Sequence, residues 1–343
     1  MSRLWPVSGP DGGDNWDTPR DAAAAANLAR MAKAIQYTEL GGPEVITLND
    51  IPDPQPGAGQ VAIRIEAAGV NPIDWKLREG IRPSAPISKP RGTGTDGAGH
   101  VTAVGEGVDG FRVGDPVVFS GKLGAYATDL VVPAEKVFAR PAGVPAAVGA
   151  ALGIPVGTAY QALRSLGIRG DDTLLIHGAS GSVGQAAVQF AVLAGARVLG
   201  TTSDARASRV SDLGGEPIAY GEGLVERVRQ AAPDGVTAIL DFAGTDEAIH
   251  ASLELLEDRS RIATIVRGPD AADFGMRAFG GGAPEPLTAQ QETWRSEAIP
   301  VALALIAAGR FSVELGEQFP LERAADAQRA SREGAPGKLI VVP

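Results

Sequence analysis

Three glycines at a regular spacing form the segment with the clearest chemical meaning. Residues 177–184 read HGASGSVG, between an apolar run typical of a buried strand and one typical of a helix. Glycines at such a turn let the backbone approach a phosphate, and the first N–H groups of the helix bind an anion. The segment therefore predicts a dinucleotide-binding turn. A turn with a purely structural role is the alternative, because glycines are common at any strand-to-helix turn.

The end of the next strand predicts which dinucleotide binds. An NAD site places an acid there for the ribose 2′-hydroxyl, whereas an NADP site offers hydroxyls and a cation to the 2′-phosphate. Residues 200–206 read GTTSDAR, so hydroxyls precede Arg206, whose guanidinium can bind a phosphate through two N–H groups. These residues favour NADPH, although Arg206 could also belong to an exposed helix face. Asp204 could instead hold a ribose, and its position after the hydroxyls favours a helix N-cap.

Two styles of sequence indicate the elements that must position these residues. Residues 31–153 contain short β-rich runs separated by glycine and proline, which predicts a largely antiparallel β domain. Strands then alternate with apolar helices, which predicts βαβ units and a parallel sheet with right-handed crossovers. Near the end, the pattern predicts a helix over residues 297–308 and a strand over residues 312–315.

Composition excludes several classes of protein. The 343 residues include no cysteine, and 31 Lys+Arg against 41 Asp+Glu give a net charge of −10. Without a thiolate there is no disulfide framework, cysteine-based metal site or cysteine nucleophile. The acidic balance argues against nucleic acid or an anionic membrane as a partner, and no apolar run approaches the roughly 20 residues of a membrane span. Since nothing calls for an oxidising compartment, we expect a cytoplasmic protein.

Further motifs follow one another in a fixed order. They read GVNPIDWK at 69–76, GTDGAG at 94–99, VGEGV at 104–108, VGD at 113–115, GAYA at 124–127, GTAYQAL at 157–163 and GKLIV at 337–341. Together they resemble the motifs of zinc-free medium-chain dehydrogenases/reductases, in the branch of quinone oxidoreductases and enone reductases. The resemblance extends over residues 31–343.

The resemblance implies an α/β fold of two domains. We expect a GroES-like β-rich catalytic domain over residues 31–153 and a Rossmann NADPH-binding domain with a doubly wound parallel sheet over residues 154–285. Residues 286–343 are expected to return to the catalytic domain, and the composition of residues 1–30 predicts a disordered leader. Residues 274–279 resemble the edge strand through which such enzymes often form homodimers.

The resemblance also implies roles for single residues. Zinc-dependent relatives have cysteine where Asn71 stands and a His-Glu pair near Thr95 and Asp96, so we expect no metal. Asn71 is expected beside the nicotinamide, bonded to substrate or cofactor, although it could simply be a turn residue before Pro72. The other expected cofactor-binding residues are Thr158 at the nicotinamide end, Gly178, Ser180, Gly181, Ser182 and Val183 at the pyrophosphate, Ser203, Arg206 and Tyr220 at the 2′-phosphate, and Ala243, Gly244, Ile265, Val266, Arg267 and Lys338.

One departure from the family concerns the substrate cleft. Many quinone reductases of this branch have tyrosines where Lys76 and Arg82 stand, so two phenols are missing. Plant-type enone reductases resemble this chain in having lysine at the first position, which makes Lys76 a candidate proton donor. A surface lysine beside Trp75 is the alternative.

These residues imply a reductase that acts on a small-molecule substrate. It would transfer hydride from NADPH to a quinone or to the C=C bond of an α,β-unsaturated carbonyl compound, with a proton from water or Lys76. Two other classes stay open. One is a non-reductase on the same scaffold, such as a biosynthetic cyclase or an accessory protein, and the other is a module that senses NADPH.

Overall fold

The computed structural model describes residues 31–280 and 283–343, so the leader predicted for residues 1–30 lies outside the described residues. The strands are β1 Met31–Tyr37, β2 Thr47–Pro52, β3 Gln60–Gly69, β4 Arg91–Gly92, β5 Asp96–Val104, β6 Pro116–Ser120, β7 Asp129–Pro133, β8 Val137–Ala139, β9 Thr173–His177, β10 Arg197–Thr202, β11 Glu216–Ala219, β12 Ala238–Asp241, β13 Ile262–Thr264, β14 Arg277–Ala278, β15 Leu315–Pro320 and β16 Lys338–Val342.

The helices differ from the sequence pattern mainly near the end of the chain. They are α1 Pro72–Arg78, α2 Ala146–Ala150, α3 Gly153–Leu166, α4 Ser182–Leu193, α5 Ala207–Asp212, α6 Leu224–Ala231, α7 Asp246–Leu255, α8 Ala289–Ala307 and α9 Ala324–Arg332. The predicted start at residue 297 is wrong, because Thr288 and Gln291 form a capping box that begins α8 earlier, and the helix continues through Pro300. The strand predicted at 312–315 lies at 315–320 instead.

The first half of the described chain forms mostly antiparallel sheets, as predicted. A three-stranded sheet has the order β2-β1-β4, and a seven-stranded sheet has the order β15-β16-β3-β5-β6-β8, with β7 also paired to β3. Strands β15 and β16 come from the end of the chain. In the register of the larger sheet, Gly69 lies opposite both Asp96 and Ile340. The end of β3 and the starts of β5 and β16 therefore meet at one place.

The second half contains the predicted parallel sheet. Its order is β11-β10-β9-β12-β13-β14, and every neighbouring pair is parallel. Successive strands lie on opposite sides of β9, so the carboxyl end of β9 is a topological switch point, where open parallel sheets bind ligands. The described part of β14 lies at the edge of this sheet.

One hydrophobic core joins the two sheets. It contains Ala98 and Val118 from the antiparallel sheet together with Leu174 and Ile176 from the parallel sheet, all fully buried. Helix α3 packs between them and against α8. Within residues 31–280 and 283–343, no helix has the length and apolar character needed to cross a membrane.

Candidate active site

The glycine turn has the geometry of a dinucleotide site. Gly178 has φ +76°, a conformation that favours glycine. A Cβ atom on Gly184 would lie 2.2 Å from the carbonyl oxygen of Gly178, so α4 approaches the turn as closely as only glycine permits. The first N–H groups of α4 lack carbonyl partners within the helix and form an anion site. These features fit a bound dinucleotide.

Two side chains at strand ends shape the neighbouring loops. The Asp241 carboxylate ends β12 and accepts N–H groups from Ala243 at 3.0 Å and Gly244 at 2.8 Å. Its other oxygen accepts the Thr264 hydroxyl at 2.7 Å, and this hydroxyl accepts the N–H of Val266 at 3.1 Å. Neither Asp241 nor Thr264 is among the predicted site residues, although a polar residue at the end of an apolar strand was a visible signal.

A buried polar network lies where β3, β5 and β16 meet. The Asn71 side-chain Nδ2 donates to Asp96 at 2.8 Å, and the Lys338 ammonium donates to the Asn71 Oδ1. Asp96 also accepts the Ser120 hydroxyl at 2.7 Å and the Ile154 N–H, at the start of α3, at 2.8 Å. The Asn71 amide is thus fixed from both sides. Lys338 supports Asn71 and also lines the neighbouring cleft, and its cofactor-binding role stays a prediction.

Asp74 extends this network beneath α1. Its carboxylate accepts the Asn71 N–H at 2.8 Å and the Tyr126 hydroxyl at 2.9 Å. Burial raises the pKa of Asp74 to about 7, against the lowering effect of these hydrogen bonds. Burial lowers the pKa of Lys338 to about 8, although Asp96 and Asp74 oppose this shift. Both groups therefore titrate near neutral pH.

A cleft of about 420 Å³ separates this network from the glycine turn. It brings together ten of the predicted site residues: Asn71, Lys76, Thr158, Gly178, Gly181, Ser182, Val183, Ile265, Val266 and Lys338. The remaining predicted residues lie outside its lining: Ser180, Ser203, Arg206, Tyr220, Ala243, Gly244 and Arg267. Phe242 and Arg295 line the cleft and were missed. No sequence signal marked Arg295, because α8 is far from the motifs in the chain.

The residues predicted at the 2′-phosphate lie near the end of β10. Arg206 makes a bidentate ion pair with Glu314, with Nη1 to Oε1 at 2.7 Å, and this contact lowers the pKa of Glu314. Ser203, rather than Asp204, occupies the N-cap position of the short turn that follows, so the N-cap predicted at Asp204 is wrong by one residue. Tyr220 is 58% exposed.

Arg267 has its charge satisfied by neighbouring acids. Its guanidinium pairs with Asp246 at 2.7 Å and with Asp270. These ion pairs hold it beside the loop after β13, outside the cleft lining.

The residues at the position of the family's zinc site do not fit a metal. The Asn71 oxygen faces a buried ammonium group, that of Lys338, and a cation there would oppose a second one. In the described part of the chain, no group of three or more His, Asp or Glu residues could hold a metal ion.

Comparisons with known proteins agree with this architecture. A family model described as "Alcohol dehydrogenase GroES-like domain" matches residues 57–142, and one described as "Zinc-binding dehydrogenase" matches residues 213–341. A quinone oxidoreductase of Pseudomonas aeruginosa is 31% identical over 91% of this chain and 100% of its own. The structure of a Pseudomonas syringae quinone oxidoreductase matches with a TM-score of 0.79 at 30% identity, over 91% of this chain and all of its own. The structure of Escherichia coli quinone oxidoreductase complexed with NADPH also matches with a TM-score of 0.79, at 27% identity, over 91% of this chain and all of its own.

A GroES-like domain, a Rossmann sheet and a cleft between them define the architecture of the medium-chain dehydrogenases/reductases. Within that class, the chain belongs to the quinone oxidoreductase family, and it is an oxidoreductase. The resemblance inferred from the sequence motifs is thereby confirmed.

Proposed function

We propose that this protein is a metal-independent, NADPH-dependent reductase that transfers hydride to a quinone or to the C=C bond of an α,β-unsaturated carbonyl compound. The observation that carries the proposal is the single cleft with the glycine turn on one side and Asn71 with Lys76 on the other. A relative of the same fold is complexed with NADPH, which supports the choice of cofactor.

The cofactor, when bound, supplies the hydride. We assign the pyrophosphate to Ser180, Gly181, Ser182 and Val183, in the turn and at the start of α4. We assign the nicotinamide end to Thr158, which lies in the cleft lining.

Arg206 with Ser203 is assigned to the 2′-phosphate. Because Arg206 is paired with Glu314, it must exchange this carboxylate for the phosphate when NADPH binds. Arg206→Ala is expected to weaken NADPH binding roughly 10- to 100-fold, because this is the affinity that a hydrogen bond to a charged group typically contributes. NADH binding should be unchanged. Fluorescence titration with both cofactors measures this, and equal affinity of the native protein for NADH and NADPH would contradict the assignment.

Lys76 is the side chain available to complete the reduction. It lines the cleft, and burial and the charge of Arg82 lower its pKa, which makes its ammonium a better proton donor. Asn71 has its oxygen engaged by Lys338, and its Nδ2 donates to Asp96 and also contacts the Gly69 carbonyl and the Thr95 hydroxyl at 3.4 Å. Its remaining role toward a substrate carbonyl is to donate its second N–H in exchange for one of these two longer contacts. Donors of this kind stabilise negative charge that develops on a carbonyl oxygen.

The decisive experiment is NADPH consumption with a panel of quinones and enones. We expect turnover with members of the panel and none when NADPH is omitted. Binding of NADPH without consumption with any acceptor would overturn the proposal and favour an accessory protein, a cyclase or an NADPH sensor on this scaffold.

We also propose a homodimer formed along β14. This strand pairs only with β13 in the described structure, and an open strand edge can pair with a second copy. Light scattering is expected to give twice the chain mass, and a monomer would exclude the dimer. The cytoplasmic location stays a prediction.

A further inference from the structure

The cleft carries more positive charge than the proposed reduction of a neutral acceptor uses. Lys76, Arg82, Arg295 and Lys338 line it, and no described lining residue is acidic. The chain as a whole has a net charge of −10, so the sign of the charge is reversed locally. A cleft lined by one sign of charge attracts ligands of the opposite sign.

Three of these cations have no acidic partner among the described residues, although the Lys76 ammonium lies 5.3 Å from the centroid of the Trp75 ring and Arg295 donates to Thr158. Lys338 belongs to the network of Asn71, Asp96 and Asp74. By contrast, Lys76, Arg82 and Arg295, here called the cationic set, form no salt bridge with any described residue.

Arg295 is the least satisfied member of the cationic set. Its Nη2 donates to the Thr158 hydroxyl at 3.3 Å, and its Nε is buried without a hydrogen-bond partner. Glu292 and Asp96 attract its charge only at longer range, and burial lowers its pKa. A buried N–H group without a partner costs free energy, which a ligand that accepts this hydrogen bond would recover.

Lys76 and Arg82 reach the cleft from the opposite domain. Both follow Asn71, the N-cap residue of α1, and the charge of Arg82 acts unfavourably on Lys76. The cofactor pyrophosphate is already served by the N–H groups at the start of α4. The cationic set is therefore free to serve another anion, one that belongs to the substrate.

We propose that the cationic set recognises a carboxylate, so that the substrate is a small unsaturated carbonyl compound that also carries a carboxylate group. This inference rests on the proposed function. The planar guanidinium of Arg295 matches the two oxygens of a carboxylate, while Lys76 and Arg82 add to the attraction. The cleft volume of about 420 Å³ must also hold the nicotinamide, which limits the substrate to a small molecule.

The chemistry of the reduction is unchanged by this group. Hydride from NADPH forms a C–H bond at the carbon β to the ketone, and the π bond of the alkene breaks. A proton then adds at the α carbon. NADPH is oxidised to NADP⁺, and the carboxylate takes no part in the electron transfer.

The test compares trans-acetylacrylate with its methyl ester as acceptors for NADPH. The two share one enone and differ in charge. We expect kcat/KM for the acid to exceed that for the ester at least tenfold, and Arg295→Gln to reduce this ratio roughly 10- to 100-fold. Arg310→Gln is the matched control, because Arg310 is exposed and lies outside the cleft. It should leave the ratio unchanged.

A binding experiment makes the result independent of turnover. Calorimetric titration of the NADP⁺-loaded protein with levulinate and with methyl levulinate is expected to show tighter binding of the acid, and Arg295→Gln should remove the difference. If the esters react and bind as well as the acids, the inference fails while the proposed function stands. If no acceptor is reduced, the proposed function fails and takes the substrate assignment with it, and the titration then tests only whether the cationic set binds a carboxylate. A rise in the NADPH Kd of Arg295→Gln equal to the loss of acid binding would assign Arg295 to the cofactor and overturn the inference.

Discussion

At the scale of single residues, the chemistry open to each polar side chain depends on which of its atoms are already hydrogen-bonded within the protein. Asn71 matched a family motif, yet its oxygen is engaged by Lys338 and one of its N–H groups by Asp96. Lys76 stands where the sequence departs from the family pattern, and this residue lines the cleft. We therefore expect proton transfer to depend on Lys76, a position at which many members of the family differ, rather than on Asn71.

Lys76→Met is expected to reduce kcat at least 100-fold, which is the lower end of the rate enhancement that a general acid typically supplies. The native protein should lose activity as pH rises through the Lys76 pKa, which lies below the usual 10.5, because the donor must be protonated. The variant should lack this alkaline limb. Lys33→Met, at an exposed position on β1, is the control. An unaltered kcat would remove Lys76 from the mechanism.

Asp74 is expected to make the free energy of unfolding depend on pH in an unusual direction. Its pKa rises from 3.8 to about 7 on folding, so the folded state binds more protons between these values. Asp74 therefore makes its full contribution to the free energy of unfolding below pH 3.8. This contribution falls by up to about 4 kcal/mol as the pH rises to about 7. Urea unfolding across this range should show the fall in the native protein and not in Asp74→Asn. An equal pH dependence in both, with Asp50→Asn as the exposed control, would contradict the assignment.

At the scale of elements, close packing of α4 on the turn after β9 shapes the predicted anion site. Gly184→Ala should lower stability by about 1–3 kcal/mol, despite the higher helix propensity of alanine, because the new Cβ would lie 2.2 Å from the Gly178 oxygen. NADPH binding should weaken as the turn is displaced. Gly181→Ala is the control for the steric clash, since its Cβ would meet no atom closer than 3.5 Å, and its own smaller loss of stability would report the N-cap position of α4. Thermal unfolding measures the stability of both variants. A Gly184→Ala protein that melts at the same temperature as the native protein would show that the turn accommodates the Cβ without loss of stability.

At the scale of the whole molecule, the shared core predicts that both domains unfold together. Trp75 lies on α1, which packs on α9, and Trp294 lies on α8 beside Arg164 of α3. Two single-tryptophan proteins, each with the other three tryptophans changed to phenylalanine, should give coincident urea transitions. NADPH at 100 times its Kd should raise the free energy of unfolding by about 2.7 kcal/mol for both probes. Separate transitions would show that the core of the two halves does not couple them.

The sequence by itself determined the class of fold and the location of the glycine turn. Both depend on local patterns: the alternation of strands and helices, and glycines at 178, 181 and 184, where a side chain would block the approach of backbone or phosphate. It also placed Asn71, Lys76 and Thr158, which the structure brings to one cleft.

Only the tertiary structure decided which charges are paired and which stay open. Lys338 and Asn71 are 267 residues apart in sequence, and Arg206 and Glu314 are 108 apart, so no local pattern could pair them. Arg295 enters the cleft from α8 because that helix packs on α3, a contact set by the core rather than by any motif. Hydrogen bonds and ion pairs act over a few ångströms in space, and folding alone determines which distant residues come within that range.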